Sequence, residues 1–330
     1  MKAFLKRIRG RVFPTRPALS IVVVVFNMQR EATRTLHSLS RAYQTGVSEN
    51  DYELIVVDNG SAPPFSMDAR MAGNVRYFHI GDALPSPARA MNFGVARSRG
   101  EYVATIIDGA RLLSPGVIQY GLRAFQAFRD PVVTVPAWHL GPDIQRRGMK
   151  HGYDQAVEDG LLDGIGWPRN GYRLFEISTL GGSCSDGWFR PMAESSCLFV
   201  SRADYEAVGG YDERFRAPGG GLVSHDLYRR LCSLDGKDLV VLLGEGTFHQ
   251  LHGGVATNAT EEEFARRYRL WLDEYQALRG EPYSRPEKAA HFLGHIPSQA
   301  KQFLSFSAER FLVEDPVKAP GRSPPSLSPE

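Results

Sequence analysis

Cysteine is scarce in this chain, with Cys184, Cys197 and Cys232 the only three in 330 residues. An odd number without metal-ligand spacing excludes a disulfide framework and a closed zinc site, and reads as reduced thiols of a cytoplasmic protein. Long apolar runs are missing as well. No stretch approaches the ~18 uncharged apolar residues of a membrane-spanning helix, and no continuous apolar segment of the signal-peptide kind stands near the start. Net charge is almost nil, +2 at pH 7, so nucleic acid is not an expected partner. Acidic residues are absent from residues 1–17, which hold Lys2, Lys6, Arg7, Arg9, Arg11 and Arg16. As a helix that segment puts Phe4, Leu5, Ile8 and Val12 on one face, suited to peripheral contact with the inner face of the cytoplasmic membrane; otherwise it is a disordered basic leader. Neither a Walker A sequence nor a Gly-x-Ser-x-Gly elbow occurs. The turn after the first apolar run, Phe26 to Arg30, lacks glycine, which excludes the Rossmann pyrophosphate fingerprint.

What is present is the composition of a globular protein, 42% hydrophobic and 23% charged, on a chain long enough for one large domain. Residues 21–26 are apolar and mostly β-branched, as in a parallel strand covered on both faces. A helix over 31–43, with Leu36 and Leu39 on one face, and strands at 54–57 and 75–80 follow. A helix over 86–98 and a strand at 103–107 complete an alternation that implies a parallel sheet. A helix over 116–128 and a strand at 132–135 come next. Residues 140–190, rich in Gly, Asp, Arg and aromatics, lack periodicity and read as an insertion or mobile loop, poor material for a core. Strands at 197–200 and 239–243 and helices at 202–208, 226–234 and 264–278 follow. The resulting division is a basic leader (1–17), a main domain (18–260), a helical extension (261–314) and a disordered Pro/Ser-rich tail (315–330).

Chemistry is concentrated at run ends. Asp108 leaves the C-terminal end of a buried strand, where open α/β sheets bind ligands. It also opens the Asp108-Gly109 pair of an ordinary turn. A hard cation bridging a diphosphate wants such an oxygen, and Arg111 either adds phosphate-binding charge or caps the loop. Asp58 ends another strand, to meet a nucleobase or ribose or to cap the Asn59-Gly60 turn. Asp226 follows the flexible Gly219-Gly220-Gly221, to approach a substrate or simply to favour a helix N-terminus. His249 and His252, set between glycine pairs, are metal ligands or structural histidines. A carboxylate and an imidazole to hold a cation, with another carboxylate to take a proton, describe metal-assisted group transfer.

Five ordered blocks, residues 20–27, 55–61, 88–94, 99–108 and 208–215, resemble the family 2 glycosyltransferases, over roughly residues 18–255. The resemblance implies the GT-A fold, a central mostly parallel α/β sheet flanked by helices with a nucleotide-binding half and an acceptor-binding half. It implies a nucleotide-sugar donor (a UDP-sugar first), Mn²⁺ or Mg²⁺ on its diphosphate, and inversion at the anomeric carbon. By position, Phe26, Asn27 and Asp58 hold the base, and Arg89 and Asn92 lie near the phosphates or sugar. Asp108, with Gly109 and Arg111 beside it, matches the first Asp of the metal motif. Asp226 matches the general base and His249 the late metal histidine, with His252 as its substitute. Two positions depart: Ala110 replaces the second metal Asp, and His225-Asp226 stands where Glu-Asp is common. The ion therefore leans on the donor phosphates, or none is required. Trp167, Tyr172, Trp188, Glu194 and His225 are expected on the acceptor side. The acceptor class is a glycan, lipid-linked or protein hydroxyl, in bacterial glycan or polysaccharide biosynthesis. The alternative, prompted by Ala110, is a degenerate GT-A scaffold that binds carbohydrate or a partner without catalysis.

Overall fold

The computed structural model describes residues 16–48, 50–67, 74–254 and 259–313. Residues 1–15 of the expected leader and all of the expected tail lie outside them. The first β-branched run becomes β1 (Leu19–Val25), buried at every position. The alternation continues through α1 (Gln29–Ser38), β2 (Tyr52–Asp58), β3 (Val75–His79), α2 (Ala88–Arg97) and β4 (Tyr102–Ile106). Then come β5 (Arg111–Leu113), α3 (Val117–Ala127), β6 (Val132–Val135), β7 (Ala137–Leu140), α4 (Gln145–Gly148) and α5 (Gln155–Gly164). β8 (Ser178–Leu180), β9 (Cys197–Ser201), α6 (Arg202–Ala207), α7 (Val223–Cys232), β10 (Leu239–Leu243) and β11 (Thr247–His249) follow. α8 (Glu261–Arg279), β12 (Ala290–Gly294) and α9 (Lys301–Leu312) close the described chain.

The main sheet has eight strands in the order β12-β10-β6-β9-β4-β1-β2-β3. Every pairing is parallel except those of β9, which runs antiparallel to β4 and β6. Alternate residues of β1 feed opposite cores: Val22 and Val24 pack with α2, and Ile21, Val23 and Val25 with α1. That two-sided burial explains why β1 has no polar face. The chain leaves β1 toward β2 and β3 on one side, while β4 lies on the other, so the carboxyl ends of β1 and β4 border a topological switch point.

A second sheet, in the order β5-β11-β7-β8, places His249 across from Arg111 on one side and His139 on the other. The 140–190 stretch is not the core-poor loop expected: Leu162, Leu174, Phe175 and Trp188 all lie in the core. It is built of two helices, α4 and α5, short turns and a three-residue strand, and only α5 is long enough to show a period. Nor are residues beyond 261 only helical. A capping box of Thr260 and Glu263 starts α8, but β12 then joins the edge of the main sheet beside β10. From α9, Phe303 packs against Trp138 and Trp188. Among the described residues no helix is long and apolar enough to cross a membrane.

Candidate metal and donor site

Asp108 stands just past β4, in a turn that needs glycine next. A Cβ on Gly109 would meet the Val24 carbonyl oxygen at 2.7 Å and Val25 Cγ1 at 2.6 Å. Gly109 is thus a close-packing residue under the donor site, and its amide neighbour Ala110 donates to Asp108 Oδ1 at 3.1 Å. The chain turns into β5, where Arg111 faces His249 across the ladder.

His249 is buried. Its Nδ1 lies 2.6 Å from Gln145 Oε1, and Gln145 Nε2 donates to the His249 carbonyl at 2.9 Å. That pairing puts the ring proton on Nδ1 and leaves the Nε2 lone pair facing Asp108 Oδ2 at 2.8 Å. His252 Nε2 is 3.3 Å from His249 Nε2 and 3.6 Å from Asp108 Oδ1. The three ligand atoms all lie within 4.8 Å of one another. Neighbouring ligands at ~2.1 Å from one cation stand about 3 Å apart, so the spacing fits a single ion. A carboxylate oxygen facing an imidazole lone pair also needs a cation or a proton between them.

Burial pushes His249 down to about 4, outweighing the attraction of Asp108. Burial alone would raise Asp108, but the two imidazoles hold it well below the usual carboxylate range. For His252, desolvation is overcome by the Asp108 charge and the net shift is upward. Arg111 Nε lies 3.8 Å from Asp108 Oδ2, and its Nε and Nη1 are buried without a hydrogen-bond partner. A guanidinium left in that state is poised for an anion.

The sequence reading missed His139 and Gln145. His139 stacks near His249 with centroids 5.2 Å apart, kept neutral by burial and the nearby His249 and arginines. Its Nδ1 accepts from the Gln145 amide at 3.3 Å. Nothing local marks either residue, because the β7–β11 ladder brings them together over a hundred positions. The segment bearing His252 is braced too: the Leu251 amide donates to buried Glu158 Oε2 at 2.7 Å, and Arg30 Nη2 to Oε1 at 3.0 Å. An open cleft of about 580 Å³, lined by Met149, Tyr153, Gln155, Leu251 and His252, lies beside the triad.

Other expected site residues fall elsewhere. Phe26 is exposed at the rim, and Asn27, with φ 49°, is in the left-handed region that asparagine tolerates. The Asn27 carbonyl-type oxygen accepts from the Ala62 amide at 3.0 Å. Asp58, expected to meet the base, has its carboxylate engaged within the loop after β2. It is fully buried, with Oδ1 accepting from the Ser61 amide and Oδ2 from the Phe65 amide and Tyr77 hydroxyl. Burial alone would raise its pKa, but these donors hold it below the usual value; it shapes the loop after β2. Arg89 pairs with Asp82 at 2.9 Å on the surface. Asn92, expected near the phosphates or sugar, donates to the Tyr211 carbonyl and Glu213, and accepts from Tyr205 and the Tyr211 amide.

Trp188 is corrected as an acceptor wall, since it is 1% exposed and packed against Trp138. Tyr172 gives its hydroxyl proton to Glu245 at 2.7 Å, and Trp167 packs on His37. Glu194 and His225 do come together, Oε2 to Nδ1 at 3.4 Å, with Tyr283 edge-on to the imidazole. Asp226, expected as the general base, lies inside the fold. At 0% exposure it accepts from Arg279 Nε at 2.5 Å, Arg279 Nη2 at 2.7 Å and Arg230 Nε at 2.8 Å. Both carboxylate oxygens are thus engaged by guanidiniums in this conformation.

An eight-stranded sheet with a ligand-bearing switch point and a cation-sized triad defines a nucleotide-diphospho-sugar transferase fold of the GT-A class. The chain belongs to glycosyl transferase family 2, whose profile matches residues 20–190. An uncharacterized protein of Sinorhizobium fredii is 28% identical over 205 residues, covering 60% of this chain and 21% of that protein. The chain thus spans about a fifth of the length of that curated relative. Among solved structures, S. aureus TarS in complex with UDP-GlcNAc superposes with a TM-score of 0.50 at 13% identity, covering 78% of this chain and 66% of that one. A Pyrobaculum calidifontis mannosyltransferase in complex with GDP-Man and Mn²⁺ gives 0.49 at 14% identity, covering 94% and 76%. The TarS likeness establishes the shared fold.

Proposed function

We propose that this chain transfers a sugar from a nucleotide-diphospho-sugar to an acceptor hydroxyl by in-line displacement with inversion. The convergence of Asp108, His249 and His252 at the carboxyl end of β4 carries the reading. These three would hold a divalent cation, Mn²⁺ or Mg²⁺, and the residues fit one by spacing and by the fixed tautomer of His249. When bound, such an ion supplies Lewis-acid neutralisation of the leaving diphosphate. Arg111 meets the same diphosphate with a guanidinium whose Nε and Nη1 have no hydrogen-bond partner among the described residues. Phe26 and Asn27 border the nucleotide, and exposed Arg89 can turn from Asp82 to the donor.

On this reading Glu194 and His225 serve the acceptor side, supported by their approach to 3.4 Å. Burial lowers the pKa of His225, which keeps the imidazole neutral near pH 7 and able to take a proton beside the Glu194 carboxylate. The setting remains bacterial glycan or polysaccharide synthesis in the cytoplasm, on a glycan, lipid-linked or protein acceptor. Released nucleoside diphosphate from a panel of UDP- and GDP-sugars, with Mn²⁺ or EDTA, tests the reading. One donor should turn over, and Asp108→Asn and His249→Ala should abolish it; His225→Gln should slow transfer ~10²–10⁴-fold with nucleotide binding intact. A silent panel with no nucleotide binding would return the chain to the non-catalytic scaffold.

A further inference from the structure

We propose that the chain from α8 to β12 completes the acceptor site, where Tyr268, Tyr283 and Arg285 receive a sugar ring of a glycan beside Glu194 and His225. The inference rests on the functional reading above and deepens it, because that reading leaves the acceptor open among glycan, lipid-linked and protein hydroxyls. All five residues lie beyond residues 20–190, the part that matches the family.

Tyr283, in the link after α8, sets its ring edge-on to His225 with centroids 5.3 Å apart. Its hydroxyl donates at 2.6 Å to the carbonyl of Ala193, the residue before Glu194. Buried Tyr275 packs on its other side at 5.3 Å, so the ring is fixed against the acceptor dyad. Tyr268 and Tyr283 are both half-buried. Burial raises the Tyr268 hydroxyl, and the Arg285 and Glu194 charges act on it in opposite directions. The same two charges act oppositely on His225, which gathers all five groups at one place. α8 is seated firmly there. Glu274 Oε1 accepts from the Arg216 and Ala217 amides at 2.7 and 3.2 Å. Trp271 packs on Gly221, where a Cβ would lie 3.1 Å from its Cδ1 and the φ is +53°. Both contacts tie α8 to the loop that leads into α7 and so to His225. Yet of the 19 residues of α8 only Tyr275 is buried, so Tyr268 is not core filling. Its ring stacks on Phe264 with centroids 5.8 Å apart.

A sugar ring has flat C–H faces and a rim of hydroxyls. Aromatic rings take the faces, while a carboxylate and a guanidinium take the rim. His225 Nδ1 is buried without a hydrogen-bond partner, so it is free for one of those hydroxyls. Arg285 Nη1 meets Asp186 Oδ2 at 3.4 Å, and both side chains are well exposed. A pair of that kind is worth little, so the guanidinium turns to a hydroxyl at small cost. Glu194 and Asp186 together outweigh the Arg285 charge, which opposes a lipid phosphate at this place. A peptide acceptor is gripped by its main chain, whereas these rings offer apolar faces.

The experiment offers the full chain, with a donor that turns over, three kinds of acceptor: methyl glycosides of the common hexoses, a polyprenyl phosphate and a serine-rich peptide. Mass spectrometry follows the products, and saturation-transfer NMR reads glycoside binding with UDP or GDP present. At least one methyl glycoside should bind and be glycosylated. Tyr268→Ala and Arg285→Ala should each raise its KM about tenfold while the donor KM stays put. Tyr268→Phe, which keeps the ring, should restore the parent value, and circular dichroism checks that the variants remain folded. Three outcomes overturn the inference and leave the transferase reading standing. They are transfer confined to the polyprenyl phosphate or the peptide, donor turnover with no glycoside bound or glycosylated, and an acceptor KM within about twofold of the parent in both alanine variants. Absence of both donor turnover and nucleotide binding overturns the two readings together.

Discussion

Asp226 accepts from three guanidinium nitrogens, and Arg279 spreads its remaining charge onto Asp212 at 2.8 Å. The cluster joins three places distant in sequence: the segment before α7, α7 itself, and the last turn of α8. Asp226→Asn removes the charge that both arginines were buried against. Breaking such a pair costs about 3–5 kcal/mol, so the variant should melt well below the parent in thermal unfolding. Any residual donor turnover at low temperature should remain measurable. A normal melting temperature with turnover abolished would instead restore Asp226 as the base. Asp108, also at a run end, is part-exposed and faces two imidazoles, with the Arg111 guanidinium farther off at 3.8 Å. Sequence position could not separate these two carboxylates, because the difference lies in what arrives from elsewhere in the chain: Arg279 to one, His249 and His252 to the other. Asp58 and Asn92 likewise find partners within the protein that the sequence does not show, the Ser61 and Phe65 amides and Tyr77 for one, and Tyr205, Tyr211 and Glu213 for the other.

Among the elements, the helix that covers β1 and β2 shows how closely this sheet is packed. α2 buries Ala88, Ala90, Met91, Gly94 and Val95, and its glycine sits over the strands. A Cβ on Gly94 would lie 2.3 Å from Val22 Cγ1 and 3.0 Å from Val57 Cγ2. Gly94→Ala should therefore destabilise by roughly 1–3 kcal/mol through overpacking, seen as a lower urea midpoint at unchanged slope. Gly160, in α5, makes the control because an added Cβ meets nothing within 4 Å. Gly160→Ala should raise the midpoint, worth about 0.5–1 kcal/mol. Equal effects at the two glycines would contradict the close approach of α2. β1, β2 and β4 of the main sheet were legible because each centres on a largely apolar run. β5, β7, β8 and β11 were not, since three or four residues cannot display a period of two. The candidate ligands Asp108, His249 and His252 stood out in the sequence, while the small sheet beside them did not.

At the scale of the whole molecule, the two sheets are joined through Glu245, in the short link between β10 and β11. It is fully buried. Its carboxyl accepts from Ser114 Oγ, from the Gly116 amide at 3.1 Å and from Tyr172 at 2.7 Å, fastening that link to the start of α3. Burial, which these donors only partly offset, raises its pKa from 4.5 to about 7. An acid whose folded pKa is raised holds its proton more tightly when folded. Its contribution to stability is therefore fully present below pH 4.5 and is lost as pH rises through about 7. The full swing is at most about 3 kcal/mol. Other groups, Asp108 and Asp58 with their depressed values among them, push stability the opposite way in acid, so the whole-protein profile mixes both signs. Glu245→Gln isolates the one contribution, because a neutral amide can still accept from Ser114 and Gly116 but carries no titrating proton. Urea unfolding of parent and variant from pH 5 to 8 should show a stability difference that moves steadily in the variant's favour as pH rises. A difference independent of pH would mean that Glu245 is ionised throughout, and that hydrogen bonding outweighs burial where the sheets meet.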